Sequence, residues 1–391
     1  MAKRASCLAS PEFSSAKWAI FHTDLLETML DKLVLSDYIR CSAVCKSWNS
    51  IVLNHKQKRI RLSNHQLPWQ LIIHLGYENG QKIFGLYDFF ARTRITNFQL
   101  HIPNEYNSYD YCDSSRGWLF FKVKKSEIFI IINPLSGTIF HLPKLISRRF
   151  HGGRFILSND PCFGSFEVLA IDNFRNKVAH LKFGDDYWSY TKRSCEIGIR
   201  LFLSSFIFYK DRIIACCNKG IVSLELINNG DGDIHSLRIN VLGELSPELK
   251  KLYDHSCLYL VENTNGDLLL VVRHIVVVKY DIFKIIESKT GRFEHIPVMN
   301  LKSHSLFLGN NHSISVLASN YPGCKQNSIY CSHVLTSLAR QGRFLKCVFS
   351  MDEFNLDDKI VQRIPSVEIW TEDQSVDVLG EVSWIVLSMK F

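Results

Sequence analysis

From Trp69 onward the chain is built from short runs of β-branched, aliphatic and aromatic residues, none long enough for an ordinary helix. Leu71–Leu75, Gly117–Val123, Ile128–Ile132, Phe166–Ile171, Ile213–Cys217, Cys257–Val261, Leu268–Val272, Ile275–Tyr280 and Ser383–Met389 each read as a strand. Between them stand turn signals: Glu78-Asn79-Gly80, Ser136-Gly137, Asn229-Gly230-Asp231-Gly232, Asn265-Gly266-Asp267 and Pro322-Gly323. No long amphipathic pattern interrupts the series, which excludes a sheet wound with crossover helices.

One unit recurs within this β region. Ser136-Gly137-Thr138-Ile139-Phe140-His141-Leu142-Pro143 matches Thr290-Gly291-Arg292-Phe293-Glu294-His295-Ile296-Pro297. Asp358 to Ile364-Pro365 repeats it with Lys359 in place of the glycine. Each reads as a turn, an edge strand and a proline that stops the strand. The equivalent histidines, His141 and His295, then mark a repeated structural position. The prolines lie 154 and 68 residues apart, which fixes no single period but suits several blades with loops of different length. About five to seven blades of 40–50 residues fit the available chain. A β-propeller is the expected closure, because a ring leaves no long exposed sheet edge. There is no Trp-Asp dipeptide of the WD40 kind, and one Gly152-Gly153 pair is too few for kelch repeats.

The first sixth of the chain has a different period. Leu26, Met29, Leu30 and Leu33 fall on one helical face, with Asp24 and Glu27 in a capping-box pattern. Ser36 can cap a second helix carrying Tyr38, Ile39 and Ala43, with Asp37 in its first turn. Val44, Trp48, Ile51 and Val52 continue as a third, short segment. Three short helices make a core too small to be comfortable alone.

The order Asp24-Leu25-Leu26, Leu33-x-Leu35-Ser36-Asp37-Tyr38 and Val44-Cys45-Lys46-Ser47-Trp48 resembles an F-box, over Trp18–Val52. That resemblance implies docking on the Skp-type linker protein, and through it a cullin, of a ubiquitin ligase. The residues it assigns to the linker are Phe21, Leu25, Leu26, Leu30, Leu35, Tyr38, Val44, Cys45 and Trp48, with Leu25, Leu30, Tyr38 and Trp48 expected on the open surface. Where the family usually has Leu-Pro before the first helix, this chain has Ile20-Phe21-His22, and Phe21 is placed in the same apolar pocket.

The β region carries a second resemblance. Leu258-Tyr259-Leu260-Val261-Glu262, Gly266-Asp267-Leu268-Leu269-Leu270-Val271, Phe307-Leu308-Gly309-Asn310, Pro322-Gly323-Cys324-Lys325 and Ile329-Tyr330 resemble plant F-box proteins with a KIB-type β-propeller. Asn133-Pro134-Leu135-Ser136-Gly137 and Leu142-Pro143 extend the likeness upstream. The expected organisation is a flexible N-terminus over 1–15, an F-box over 16–55, a linker over 56–68 and a KIB-type β-propeller over 69–391. The fold class is mainly β, a C-terminal propeller preceded by a small all-α F-box domain.

Charge and cysteine usage narrow the function. Of a formal net charge of +8, residues 1–65 supply +5, so the large domain has no strong basic surface and nucleic acid is not an expected partner. The run Lys56, Lys58, Arg59, Arg61 reads as a solvated helix end, with nuclear import as the sharper alternative. Twelve cysteines include no Cys-x-x-Cys pair, which suits reduced thiols and an intracellular protein of cytoplasm and/or nucleus. The start lacks a secretory apolar core, and the longest apolar run, Leu268–Val278, is broken by Arg273-His274, so no membrane association is expected.

Catalytic signatures are missing: no Gly-x-Ser-x-Gly, phosphate loop, dinucleotide fingerprint or His-Glu-x-x-His occurs. The pair Asp185-Asp186, and the trio Cys324, Cys331 and His333, fit no common metal spacing. No catalytic, cofactor or metal residue is therefore assigned. The expected function is substrate recognition for an SCF-type ligase, with the helices binding the linker and the propeller an unidentified target protein. The rival readings are a scaffold or inhibitor acting outside the ligase, and a ligand-sensing propeller.

Overall fold

The chain divides into two units, Met1–Asn64 and His65–Phe391. The computed structural model describes residues 22–30, 33, 41, 44–62, 69–78, 81–88, 93–95, 109–123, 126–133, 137–145, 153–172, 177–192, 203–217, 220–228, 235–245, 247, 250, 256–309, 313–320, 323–341, 344–372 and 383–385. The expected flexible segment 1–15, the end of the expected linker at 63–68, the turn 229–232 and the strand end 386–389 lie outside these residues.

In the smaller unit, α1 (Thr23–Leu30) packs on α2 (Lys46–Leu62). Leu26 and Leu30, one turn apart, are fully buried, as are Val52 and His55 of α2. Helix α1 begins one residue before Asp24, so that carboxylate lies in the first turn, where the helix dipole favours it, and does not form the expected capping box. Helix α2 is 17 residues long, not a short segment, and runs through Lys56–Arg61. Those positions, allotted to a linker, continue the helix because no Gly or Pro interrupts them before Pro68.

Six sheets follow. The first holds Trp69–Glu78, Gln81–Asp88 and Thr93–Ile95; the second, Tyr109–Ser115, Trp118–Val123, Phe129–Ile132 and Ile139–Leu142. The third holds Arg154–Leu157, Glu167–Asp172, Lys177–Lys182 and Ser189–Lys192; the fourth, Leu203–Tyr209, Arg212–Cys217, Gly220–Asn228 and His235–Glu244. The fifth holds Ser256–Glu262, Leu268–His274, Lys279–Glu287 and Phe293–Pro297. The sixth orders Ile314–Leu317, His304–Leu308, Ser328–Gln341, Phe344–Asn355 and Val361–Glu372, with one parallel pairing, His304–Leu308 beside Ser328–Gln341. The last strand, Ser383–Ile385, returns to the first sheet and pairs antiparallel with Trp69–Glu78. Inner strands of successive sheets abut around the ring, and Trp69–Glu78 meets Val361–Glu372 of the sixth sheet. The domain is a β-propeller closed by strands from both of its ends.

The described cores lie between blades, from the second and third sheets through to the fifth and sixth, and this explains the unbroken apolar runs. In Glu167–Asp172, Val168 and Ala170 face the second sheet while Leu169 and Ile171 face the fourth. In Arg212–Cys217, Ile214 and Cys216 face the fifth sheet while Ala215 and Cys217 face the third. Leu268, Leu270 and Val272 likewise split from Leu269 and Val271. A strand buried on both faces needs apolar residues at every position, not at alternate ones.

The recurring sequence unit is the turn into the outermost strand of three blades. Gly137 and Gly291 have φ of +68° and +76°, and Lys359 takes the same place at +58°. Their N–H groups donate to the carbonyls of Asn133, Ser288 and Asn355 at 2.9, 2.9 and 3.0 Å. Two expectations are corrected. Pro365 does not stop its strand, which continues to Glu372; it sits where the register skips between Phe349 and Met351, a bulge that frees a proline from the ladder. Ile275–Tyr280 is not one strand. Ile275–Val278 form a turn, because His274 pairs with Lys279 and reversing there lets Leu268–Val272 bury both faces. Tertiary burial overrides the strong strand propensity of four aliphatic residues.

What joins one blade to the next is more specific than apolar packing. The inner strand Tyr109–Ser115 has a bulge between Tyr111 and Asp113, and Leu203–Tyr209 has one between Leu203 and Ser205. After each bulge, a polar side chain reaches the next blade. Asp113 Oδ2 accepts the Phe155 N–H at 2.6 Å, and Ser115 Oγ accepts the Leu157 N–H at 3.0 Å. Ser205 Oγ accepts the Leu260 N–H at 3.0 Å. These acceptors serve the open edge of an inner strand, which has no ladder partner on that side. Asp113 Oδ1 also accepts the Ser114 N–H at 2.7 Å. Removing Asp113 strands these buried donors, so Asp113→Ala is expected to lower stability by about 2–3 kcal/mol. Asp113→Asn, keeping one acceptor oxygen, should lose less. Urea unfolding followed by tryptophan fluorescence checks this, and equal midpoints for all three proteins would contradict it.

Candidate docking surfaces

In the helical unit the chain entering α1 is set by the His22 carbonyl, which accepts the N–H groups of Leu25 and Leu26, both at 3.1 Å. With Leu26 and Leu30 turned inward, Leu25 and Met29 form a second stripe on the open side. Leu25 is 56% exposed and so is Val44, two residues before α2. Trp48 is half-buried. Cys45 caps α2: its Sγ accepts the Trp48 N–H at 3.5 Å and its carbonyl accepts the Asn49 N–H at 2.9 Å. A thiol is a weak acceptor, but it occupies the position that Ser or Asp fills at other helix starts.

The assigned linker-binding residues thus separate. Leu25 and Val44 are open to a partner, and Trp48 is partly so. Leu30, expected on the surface, is buried, because in an eight-residue helix the 26/30 stripe is the one that α2 covers. Leu26 and Leu30 shape the unit from inside, and Cys45 orders the start of α2. Phe21, Leu35 and Tyr38 lie outside the described residues. Met29 was missed as a surface residue. The signal was its i, i+4 relation to Leu25, which competes with its i, i+3 relation to Leu26.

On the propeller, two of the described turns each carry more than one large exposed apolar side chain. Ile275, Val276 and Val277 form one tip, with Val276 81% exposed. Its base is pinned by Asp281, which meets His274 Nε2 at 2.7 Å and Lys279 Nζ at 2.9 Å. The other turn, Phe183 to Tyr187, carries two exposed aromatic rings around Asp185-Asp186. Of the echoed histidines, His141 is exposed and His295 half-buried, where burial lowers its imidazole pKa.

Buried polar chemistry is concentrated between the fifth and sixth blades. Arg273 Nε donates to the Tyr280 hydroxyl at 3.2 Å, and Arg273 Nη2 lies 3.6 Å from Asp352 Oδ2. Tyr259 Oη lies 3.9 Å from Cys331 Sγ. Burial pushes the Tyr259, Tyr280 and Cys331 groups up, so all three stay protonated near neutral pH. A buried protonated thiol is a poor nucleophile. Cys324 is pushed up too, by the same cause. Among the described residues, no three His, Cys, Asp or Glu side chains are placed to hold a metal ion, and no helix is long and apolar enough to cross a membrane.

The KIB1-4 beta-propeller family model matches residues 86–355. The chain belongs to the KIB1-4 beta-propeller family. The F-box domain model matches residues 21–60, so this family member carries both parts that its residues suggested. Two Arabidopsis thaliana proteins bearing F-box names are similar to it. One is 28% identical over 212 residues, 52% of this chain and 51% of the relative; the other is 23% identical over 356 residues, 82% and 85%. The chain thus spans about half the length of the first of these relatives. An F-box/kelch-repeat protein of the same plant is 24% identical over 134 residues, 34% of each chain. Among solved structures, a Lactobacillus plantarum protein of 12% identity covers 77% of this chain and 82% of its own, with a TM-score of 0.36, too loose a likeness to bear on function.

In this KIB1-4 protein the cap on α2 is open to direct test. Cys45→Ala is expected to speed amide exchange at Trp48 and Asn49 several-fold, the loss of a weak cap of up to about 1 kcal/mol. Cys45→Ser should restore or exceed the original protection. Unchanged exchange in Cys45→Ala would show that the thiol does not cap.

Proposed function

We propose that this chain is a substrate-receptor subunit of an SCF-type cullin–RING ubiquitin ligase. The observation that carries the reading is the exposure of the apolar side chains Leu25, Met29 and Val44 on a unit that matches the F-box domain. Such side chains on a small helical unit suit the groove of a Skp-type linker, with Trp48 at the edge of the contact. Phe21, Leu35 and Tyr38 join them by family resemblance. Burying each side chain is worth roughly 1.5–3 kcal/mol, before the cost of association is subtracted.

The propeller presents its turns to a target protein. The receptor makes or breaks no bond; it raises the local concentration of a target lysine beside the charged ubiquitin carrier. Turns on rigid blades suit this task, because their sequences vary without disturbing the sheets. The place of action is the cytoplasm and/or nucleus. Ile20-Phe21-His22 in place of Leu-Pro favours, as the second reading, a scaffold that works outside the ligase.

Calorimetry with a purified Skp-type linker separates the two. The wild-type chain is expected to bind, and Leu25→Asp with Val44→Asp to weaken binding about a hundredfold or more. Propeller unfolding should be unchanged in the variant. No binding by wild type would leave the scaffold reading; equal binding by the variant would remove the stripe from the interface.

A further inference from the structure

The turn between the third and fourth strands of the third sheet has a composition that its fold does not require. Phe183 is 55% exposed and Tyr187 61% exposed, with Asp185 and Asp186 exposed between them. Gly184, at φ +95°, turns the chain within this segment, in which the two aromatic residues flank the two carboxylates in sequence.

The segment is held rigid. Phe183 N–H donates to the Phe166 carbonyl at 2.9 Å, and Asp185 N–H to the Lys182 carbonyl at 3.0 Å. Asp185 Oδ2 accepts the Lys182 N–H at 3.0 Å. On the far side, the buried Trp188 donates its indole N–H to the Pro143 carbonyl at 2.8 Å. The Phe183 ring is also the outer end of a chain of tilted and edge-to-face aromatic contacts that begins in the core. Trp118 and Phe140 lie 5.5 Å apart between centroids, Phe140 and Phe166 5.7 Å, and Phe166 and Phe183 5.1 Å. An exposed ring so fixed loses little freedom when a partner covers it.

Charge selects the occupant. The nearest cation in sequence, Lys182, lies 4.0 Å from Glu167, and Glu167 also meets His180 at 2.9 Å. Asp185 and Asp186 form no ion pair among the described residues. Two aromatic faces beside two carboxylates suit a Lys or Arg side chain, which can lie over a ring and end on a carboxylate. The aliphatic tip Ile275–Val277 has no such complement, since its neighbouring charges already pair with Asp281.

We propose that Phe183–Tyr187 is the docking point for a basic segment of a partner protein, with one Lys or Arg seated between Phe183, Tyr187, Asp185 and Asp186. It rests on the adaptor reading only in making that partner a target of the ligase.

The test is a displayed library of random 12-residue peptides, selected on the full chain. Recovered peptides should be enriched in Lys or Arg beside an aromatic or long aliphatic residue. A synthetic peptide from that set, followed by fluorescence anisotropy, should bind at least about tenfold more weakly to Phe183→Ser/Tyr187→Ser and to Asp185→Lys/Asp186→Lys. Exchanging its Lys or Arg for Glu should abolish binding to the wild type. No basic enrichment, binding unchanged in either variant, or loss through the carboxylates alone would overturn the proposal. Linker binding measured on the same preparations keeps the two readings apart. Variants that lose the peptide and keep the linker locate the effect in this turn. A chain that binds peptide and not linker removes only the ligase assignment.

Discussion

A ring of sheets has one recurrent difficulty: the inner strand of every blade has an edge with no neighbouring strand. At two junctions of this protein that edge is served by side chains of the preceding blade. Asp113 and Ser115 accept the amides of Phe155 and Leu157, and Ser205 accepts that of Leu260. Bulges at the inner strands turn these side chains out of their own sheet. Apolar cores between blades supply most of the burial, but they are tolerant of sliding. The polar ties fix one register of blade against blade, and a buried polar tie left unmade is costly.

The positions of the outer turns follow from that register. The chain of aromatic contacts from Trp118 to Phe183 crosses the junction of the second and third blades, so the exposed aromatic turn is only as rigid as that junction. The same junction carries the Asp113 and Ser115 ties. Close approach joins the fourth blade to the fifth: a Cβ on Gly243 would stand 2.5 Å from the Phe293 carbonyl oxygen. A scaffold locked in this way can carry variable turns, which is what a recognition domain needs.

Much of this architecture was legible in the sequence. The runs Leu268–Val272 and Ile213–Cys217 announced strands buried on both faces, and the Gly-to-Pro echo marked the outermost strands of three blades. The Ile275–Val278 turn was hidden, because its residues have every local reason to extend and only the pairing partner of Leu268–Val272 reverses them. The bulges were hidden as well, since Cys112 and Ser204 carry no turn signal. In the helical unit, the apolar residues of α1 fit two stripes equally well. Only the position of α2 decides that Leu30 is inside and Leu25 and Met29 are outside.

The ring depends most on the inner edges being satisfied by the neighbouring blade. Amide hydrogen exchange, resolved at Phe155, Leu157 and Leu260, measures this in the unmodified protein. The expected result is protection comparable to ladder-bonded amides such as those of Ala170 and Leu270, with exchange only through larger openings. Exchange of these three amides at the rate of an open strand edge would contradict it.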